Sequence, residues 1–219
     1  MIAKAIVFDA YGTLFDVNSA AEKCKNKIGD NWELFANYWR TTQLEYTWLR
    51  SLMKRHKDFW QITEESLEKS MKTYKIDKSM KNELLDLYRV LSTFPEVKEV
   101  LENLKKKKLK LAILSNGTPQ LLKELVKKNN LDNFFDDLFS VEEVGIYKPN
   151  EKVYEIPIKK YKIKSEEIVF LSSNTWDVSG GGNYGYNSIW VNRSNNIFDN
   201  LDYKPKNEVN NLTQLLDLI

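Results

Sequence analysis

Four polar side chains in this 219-residue chain stand where apolar runs stop. Asp9 follows Ala5-Ile6-Val7-Phe8, Ser115 follows Leu109 to Leu114, and Ser172 and Asn174 follow Ile168 to Leu171. A carboxylate at the end of a buried run is costly without a partner, so Asp9 either orders its turn or does chemistry. Other chemistries find little support. The one histidine, His56, lies in the polar stretch Lys54 to Asp58 with no evident triad partner, so His-dependent nucleophilic catalysis is not expected. The one cysteine, Cys24, excludes an internal disulfide and a thiolate metal cluster. It reads as inert and fits a reducing compartment, the cytoplasm.

Elements that could position these groups follow from the hydrophobic pattern. Ala5 to Phe8 reads as a buried strand delivering Asp9 into a turn that Gly12 breaks. From about Asn18 to Phe94 the texture is helical and crowded with aromatics, among them Trp32, Phe35, Tyr38, Trp39, Trp48, Phe59 and Trp60. Pro95 then reads as the first-turn proline of the next helix. Beyond it strands and helices alternate, with strands at Leu109 to Leu114, Ile168 to Leu171 and Ser188 to Val191, and a weaker one at Leu138 to Val141. Thr118 is a suitable N-cap with Pro119 behind it. Parallel strands joined by right-handed crossovers would bring Asp9, Ser115, Ser172 and Asn174 to one edge. The expected fold is α/β: a Rossmann-like parallel-sheet core from residues 1–15 and 96–219, with a helical cap subdomain inserted over residues 16–95.

Composition sets the outer limits. With 42% hydrophobic residues the chain can bury a substantial core. Its 33 basic and 31 acidic residues nearly balance, which excludes a nucleic-acid footprint. Lys105 to Lys108 reads as the solvated end of a helix, where cations suit the dipole. Asp9 interrupts the N-terminal apolar run, so no signal peptide is expected, and no stretch is long enough to span a membrane.

The segments Phe8-Asp9-Ala10-Tyr11-Gly12-Thr13, Leu114-Ser115-Asn116-Gly117, Lys148-Pro149 and Ser172-Ser173-Asn174-Thr175-Trp176-Asp177 resemble, in order and spacing, the four signature motifs of the haloacid dehalogenase superfamily. The first and last, together with Trp39-Arg40 and Leu44-Glu45-Tyr46, resemble its L-2-haloacid dehalogenase branch. Tyr11 stands where related phosphatases carry a second aspartate that protonates a departing alkoxide. A halide leaves without a proton, so this replacement favours carbon–halogen cleavage. Ser173 stands where the superfamily has an acidic magnesium ligand, and losing a hard oxygen ligand undermines such a site, so no metal and no cofactor are expected.

The resemblance implies that Asp9 attacks the carbon bearing the halogen, inverts it, and forms an aspartyl ester that water hydrolyses to a D-2-hydroxy acid. It assigns Lys148, Ser172, Asn174 and Asp177 to that water and to Asp9, with Tyr154 beside Lys148 and Thr13 orienting the nucleophile. Ser115 and the backbone N–H groups near Ala10, Tyr11 and Asn116 would hold the substrate carboxylate. Arg40 would receive the halide, while Tyr11, Leu44, Phe59 and Trp176 would wall the apolar part of a small 2-haloalkanoic acid. A homodimer is implied, with neither nucleic acid nor membrane as partner. Three departures stand out. Thr41 occupies a position often held by glutamine, a contact Gln43 could supply. Pro157 falls inside an expected helix and obscures the place of Tyr154. Gly180-Gly181-Gly182 would either loosen the turn after Asp177 or, as small residues behind a helix entry at Asp177, allow close packing on the sheet. Competing readings are a magnesium-dependent phosphatase of the same superfamily and a non-catalytic organic-anion binder.

Overall fold

The computed structural model describes residues 3–219. Met1 and Ile2, which open the predicted core segment, lie outside the described residues. A central six-stranded sheet, parallel throughout, has the order β3-β2-β1-β4-β5-β6. Its strands are β1 (Ala5–Phe8), β2 (Lys110–Ser115), β3 (Asp137–Ser140), β4 (Ile168–Ser172), β5 (Asn187–Val191) and β6 (Asn207–Val209). β1 is buried along its whole length between β2 and β4, which explains its unbroken apolar run. Because the chain winds to one side of β1 and then to the other, the strand order reverses beside it, the place where such sheets leave a crevice. Phe8 is level with both Ile113 and Leu171, so Asp9, Ser115 and Ser172 emerge together.

Between β1 and β2 run α1 (Ser19–Lys23), α2 (Lys25–Ile28), α3 (Trp32–Leu52), α4 (Phe59–Tyr74) and α5 (Lys81–Tyr88), then α6 (Val97–Lys106). The later strands are joined by α7 (Pro119–Lys128), α8 (Glu151–Tyr161) and α9 (Thr175–Tyr184). The expected aromatic texture becomes interior packing in the first helices: Phe35 and Trp39 of α3 meet Tyr74 and Tyr88, while Thr63 of α4 takes the Trp39 indole N–H at 3.1 Å. Thr118 caps α7 through Leu121 N–H, with Pro119 at its first position. α6 ends in the lysine run as expected.

The structure departs from expectation at Pro95 and at β6, and it decides between the two readings of the glycines. Pro95 precedes Glu96, the N-cap of α6, and therefore sits outside the helix. β6 was not foreseen, because a three-residue edge strand with one buried residue carries no periodic signal. The three glycines lie inside α9 and tighten it, since a Cβ at Gly180 would stand 2.7 Å from Pro149 Cβ and one at Gly181 would stand 2.8 Å from Phe170 Cδ1. The glycines let α9 approach its neighbours closely. Pro157 does lie within α8, but Tyr154 remains fully buried one turn before it. Replacing Gly181 by alanine forces Phe170 and Ser188 aside, so overpacking outweighs the better helix propensity; we expect a loss of roughly 1–2 kcal/mol in urea unfolding. An unchanged midpoint would mean that α9 stands further from the sheet.

Candidate active site

Asp9 leaves β1 with its N–H on the Leu171 carbonyl at 2.8 Å, and the chain folds back at once. Leu14 and Phe15 both donate to the Ala10 carbonyl, and Gly12 adopts φ +90°, a conformation glycine reaches without strain. This turn returns Thr13 to the aspartate. The two oxygens of Asp9 are partnered unequally. Oδ2 accepts from Thr13 Oγ1 at 3.1 Å, Ser172 Oγ at 3.2 Å and Asn174 Nδ2 at 2.9 Å, whereas Oδ1 accepts from Lys148 Nζ at 3.1 Å. Each donor comes from a different place: the turn itself, the end of β4, the N-cap of α9, and the loop before α8.

Lys148 also reaches Asp177 Oδ2 at 2.8 Å, and Tyr154 donates to Asp177 Oδ1 at 2.7 Å. Lys148 is 1% exposed and Asp177 0%, so both charges are out of water. Burial acts to discharge Lys148, but Asp177 and Asp9 outweigh it and hold the ammonium above the ordinary lysine value. Burial pushes the Asp177 carboxyl up to about 6, helped by the Asp9 charge and opposed by Lys148. Burial, then Asp177, raises the Tyr154 phenol well above its usual range, so it remains a donor. Asn116 Oδ1 accepts from Lys148 N–H at 3.2 Å and fixes the lysine's backbone.

The helices contribute from above the sheet's edge. Arg40 of α3 donates to Gln43 Oε1 at 2.8 Å and to the Tyr11 carbonyl at 3.4 Å, the same carbonyl that accepts from Asn174 Nδ2 at 3.3 Å. Gln43 is held in turn by Thr63 and Tyr88. It therefore steadies Arg40, while Thr41 points to solvent. Tyr11 and Phe59 meet with ring centroids 5.1 Å apart. Trp176 instead packs edge-on against Trp48, two turns along α3 from Arg40, and half-buried Leu44 lies between those two residues on the same face. Ser115 Oγ accepts from Gly117 N–H at 3.0 Å, which leaves its own O–H to donate. Ala10 is buried within the nucleophile's turn.

His56 does have a partner: its Nε2 lies 2.8 Å from Glu142 Oε2, and its ring packs on Tyr147. Neither group contacts Asp9, and the pairing spans 86 residues, beyond the reach of local pattern. Tyr88 and Phe170, whose ring lies 5.1 Å from Lys148 Nζ, are neighbours of the site that no motif signalled. Among the described residues no three His, Cys, Asp or Glu side chains converge as a metal site. Asp9 and Asp177 share an ammonium between them, and Ser173 offers only a hydroxyl near Thr13, so this donor set does not fit a magnesium ion. No helix among the described residues is long and apolar enough to cross a membrane.

Removing the ammonium leaves two buried carboxylates facing each other. Lys148→Met should lose about 3–5 kcal/mol of stability at neutral pH. Asp177, whose carboxyl burial already pushes up, would then lose the charge that opposes that rise, so the deficit should grow as pH rises and shrink in acid. Urea unfolding at pH 7.5 and 5.5 measures this; an equal deficit at both would mean that the carboxylates are not confined together.

A family model described as haloacid dehalogenase-like hydrolase matches residues 3–185. The (S)-2-haloacid dehalogenase 4A of Burkholderia cepacia is 38% identical over 219 residues, 99% of this chain and 94% of that protein. The (S)-2-haloacid dehalogenase of Pseudomonas sp. (strain YL) is 40% identical over 98% of this chain and 94% of its own length. A structure of L-2-haloacid dehalogenase from Xanthobacter autotrophicus, with chloropropionic acid covalently bound, superposes with a TM-score of 0.92 at 32% identity, covering 99% of this chain and 98% of that one.

Proposed function

The chain belongs to the haloacid dehalogenase-like hydrolases, and on that footing we propose that it converts L-2-haloacids to D-2-hydroxy acids and halide through an ester on Asp9. The unequal partnering of the Asp9 oxygens carries this reading. Oδ2 has three donors and little left to attack with, while Oδ1 has one and keeps a lone pair for carbon. Oδ1 displaces the halide from C2 on the opposite face, inverting it. Oδ2 then becomes the ester carbonyl oxygen.

Water adds to Cγ of Asp9, and the negative charge that develops on Oδ2 meets the donors Thr13, Ser172 and Asn174, an arrangement worth about 3 kcal/mol per donor in acyl-transfer sites. Asp177 takes the water's proton. On collapse Oδ1 leaves with the product beside the Lys148 ammonium and takes the proton held by Asp177 to become its hydroxyl; the water's oxygen remains on Asp9, whose carboxyl releases the second proton to solvent. Tyr154 holds Asp177 in place throughout. Ser115 and the N–H groups near Ala10, Tyr11 and Asn116 bind the substrate carboxylate. Arg40, steadied by Gln43, receives the halide as a soft anion on a weakly hydrated guanidinium. Tyr11, Leu44, Phe59 and Trp176 line the alkyl side. Residues 16–95 act as a cap on the core of residues 1–15 and 96–219. Leu49, Leu52 and Met53, exposed on the outer face of that cap, support pairing of two chains.

Halide release should be seen with L-2-chloropropionate and not the D form, in the presence of a metal chelator, with D-lactate as product. Asp9→Asn should abolish it. Phosphate release that requires added magnesium would instead support a phosphatase. Because Asp177 must be ionised to take a proton and burial pushes its carboxyl up to about 6, kcat should fall tenfold per pH unit below about that value. A rate flat from pH 7.5 to 5 would remove Asp177 from the role of base.

A further inference from the structure

Arg193, two residues beyond β5, has no part in the chemistry above, yet it ends on the nucleophile's turn. Its Nη2 donates to the Thr13 carbonyl at 2.8 Å, its Nη1 to Glu96 Oε1 at 2.7 Å, and its guanidinium carbon lies 3.7 Å from the centre of the Phe94 ring. The side chains of Arg193 and Glu96 are 13% and 14% exposed, so solvent screens the pair little. Glu96 is itself anchored, since Oε1 also accepts from Leu212 N–H at 3.3 Å.

The two chain crossings between the sheet and the helical block run side by side here. Asp16 N–H donates to the Ser92 carbonyl at 2.8 Å, Phe94 N–H to the Leu14 carbonyl at 3.1 Å, and Phe15 bridges Thr93. Arg193 grips the outgoing crossing at Thr13 and the returning one at Phe94 and Glu96. A planar fork can hold two acceptors in different directions while one of its faces lies flat on an aromatic ring; an ammonium has no planar face to lay there.

Thr13 is the residue whose hydroxyl lies on Asp9 Oδ2, and Ser173 N–H in turn donates to that hydroxyl at 2.8 Å. We propose that Arg193 is a positioning residue for ester hydrolysis: by fixing the Thr13 backbone it sets one of the three donors that face Oδ2. The inference rests on the reading that Oδ2 is the ester carbonyl oxygen. Ester formation uses Oδ1, on the lysine side, and depends on Arg193 less. Loss of Arg193 should therefore slow the second step more than the first.

The test compares wild type, Arg193→Met, Arg193→Lys and Glu96→Gln on L-2-chloropropionate. Halide and hydroxy acid are followed separately, and quenched protein is weighed by intact mass spectrometry. Arg193→Met should lose about tenfold or more in kcat with KM falling alongside it, so that kcat/KM changes by less than about twofold. A fraction of the quenched chain should carry the mass of the substrate less its halide, an adduct absent from wild type. Arg193→Lys, which keeps the charge but is shorter and has no planar fork to lie on Phe94, should fall between them. Glu96→Gln leaves Arg193 on Thr13, so it should lower the melting temperature without accumulating adduct. Should Arg193→Met fail to fold, the adduct in Arg193→Lys decides. Wild-type turnover in either Arg193 variant well below its melting temperature overturns the proposal. So does an equal loss of both steps without adduct, which would make Arg193 a staple between the two crossings only. If wild type releases no halide, the proposed function fails first, and that outcome is distinguishable because it needs no variant.

Discussion

One buried ammonium shared by two buried carboxylates governs the arrangement of this protein. Lys148 lies between Asp9 and Asp177, both buried where an unpaired charge is costly. The three residues come from the end of β1, the loop before α8 and the first turn of α9, so the pairing holds three segments of the core to one point. It also leaves the cluster one negative charge in excess. Burial is what raises Asp177 toward neutrality, against the Lys148 charge and with a smaller addition from Asp9, and suits it to exchange a proton. Tyr154 and Asn116 restrain the two ends of the lysine–Asp177 contact.

Around that pair the fold supplies donors from several directions. Parallel strands aim their ends at one crevice, and the reversal of strand order beside β1 opens it. The turn after Asp9 returns Thr13, and the N-cap of α9 contributes Asn174. α3 then lays Arg40, Leu44 and Trp48 along one face over the sheet's edge. Gln43, Thr63 and Tyr88 form a buried hydrogen-bonded chain behind Arg40, which keeps a long cationic side chain from wandering.

Glycine and proline in the last third of the core serve closeness rather than looseness. Tyr154 can reach Asp177 because Gly180 has no Cβ; one there would stand 2.5 Å from the tyrosine hydroxyl. Pro157 lies inside α8 without ending it, and Tyr154 one turn earlier stays buried. Composition makes such glycines look like a flexible turn, but a helix lying tight on a sheet needs them equally.

The sequence alone was enough for the strands β1, β2, β4 and β5, the helical block between the first two, and the edge on which Asp9, Ser115, Ser172 and Asn174 gather. Each is a local signal: an apolar run long enough for one strand, then a small polar residue, repeated in order. The motif spacing, too, carried the family. Tertiary structure alone decided which oxygen of Asp9 is crowded and which is free, since that depends on angles between groups 4 to 165 residues apart. It alone gave His56 its partner Glu142, turned Gln43 toward Arg40, and brought Arg193 to the Thr13 carbonyl across 180 residues. Hydrophobic periodicity reports which face of an element is buried; it holds no information about which distant donor will arrive there, because that is fixed only when the whole core closes.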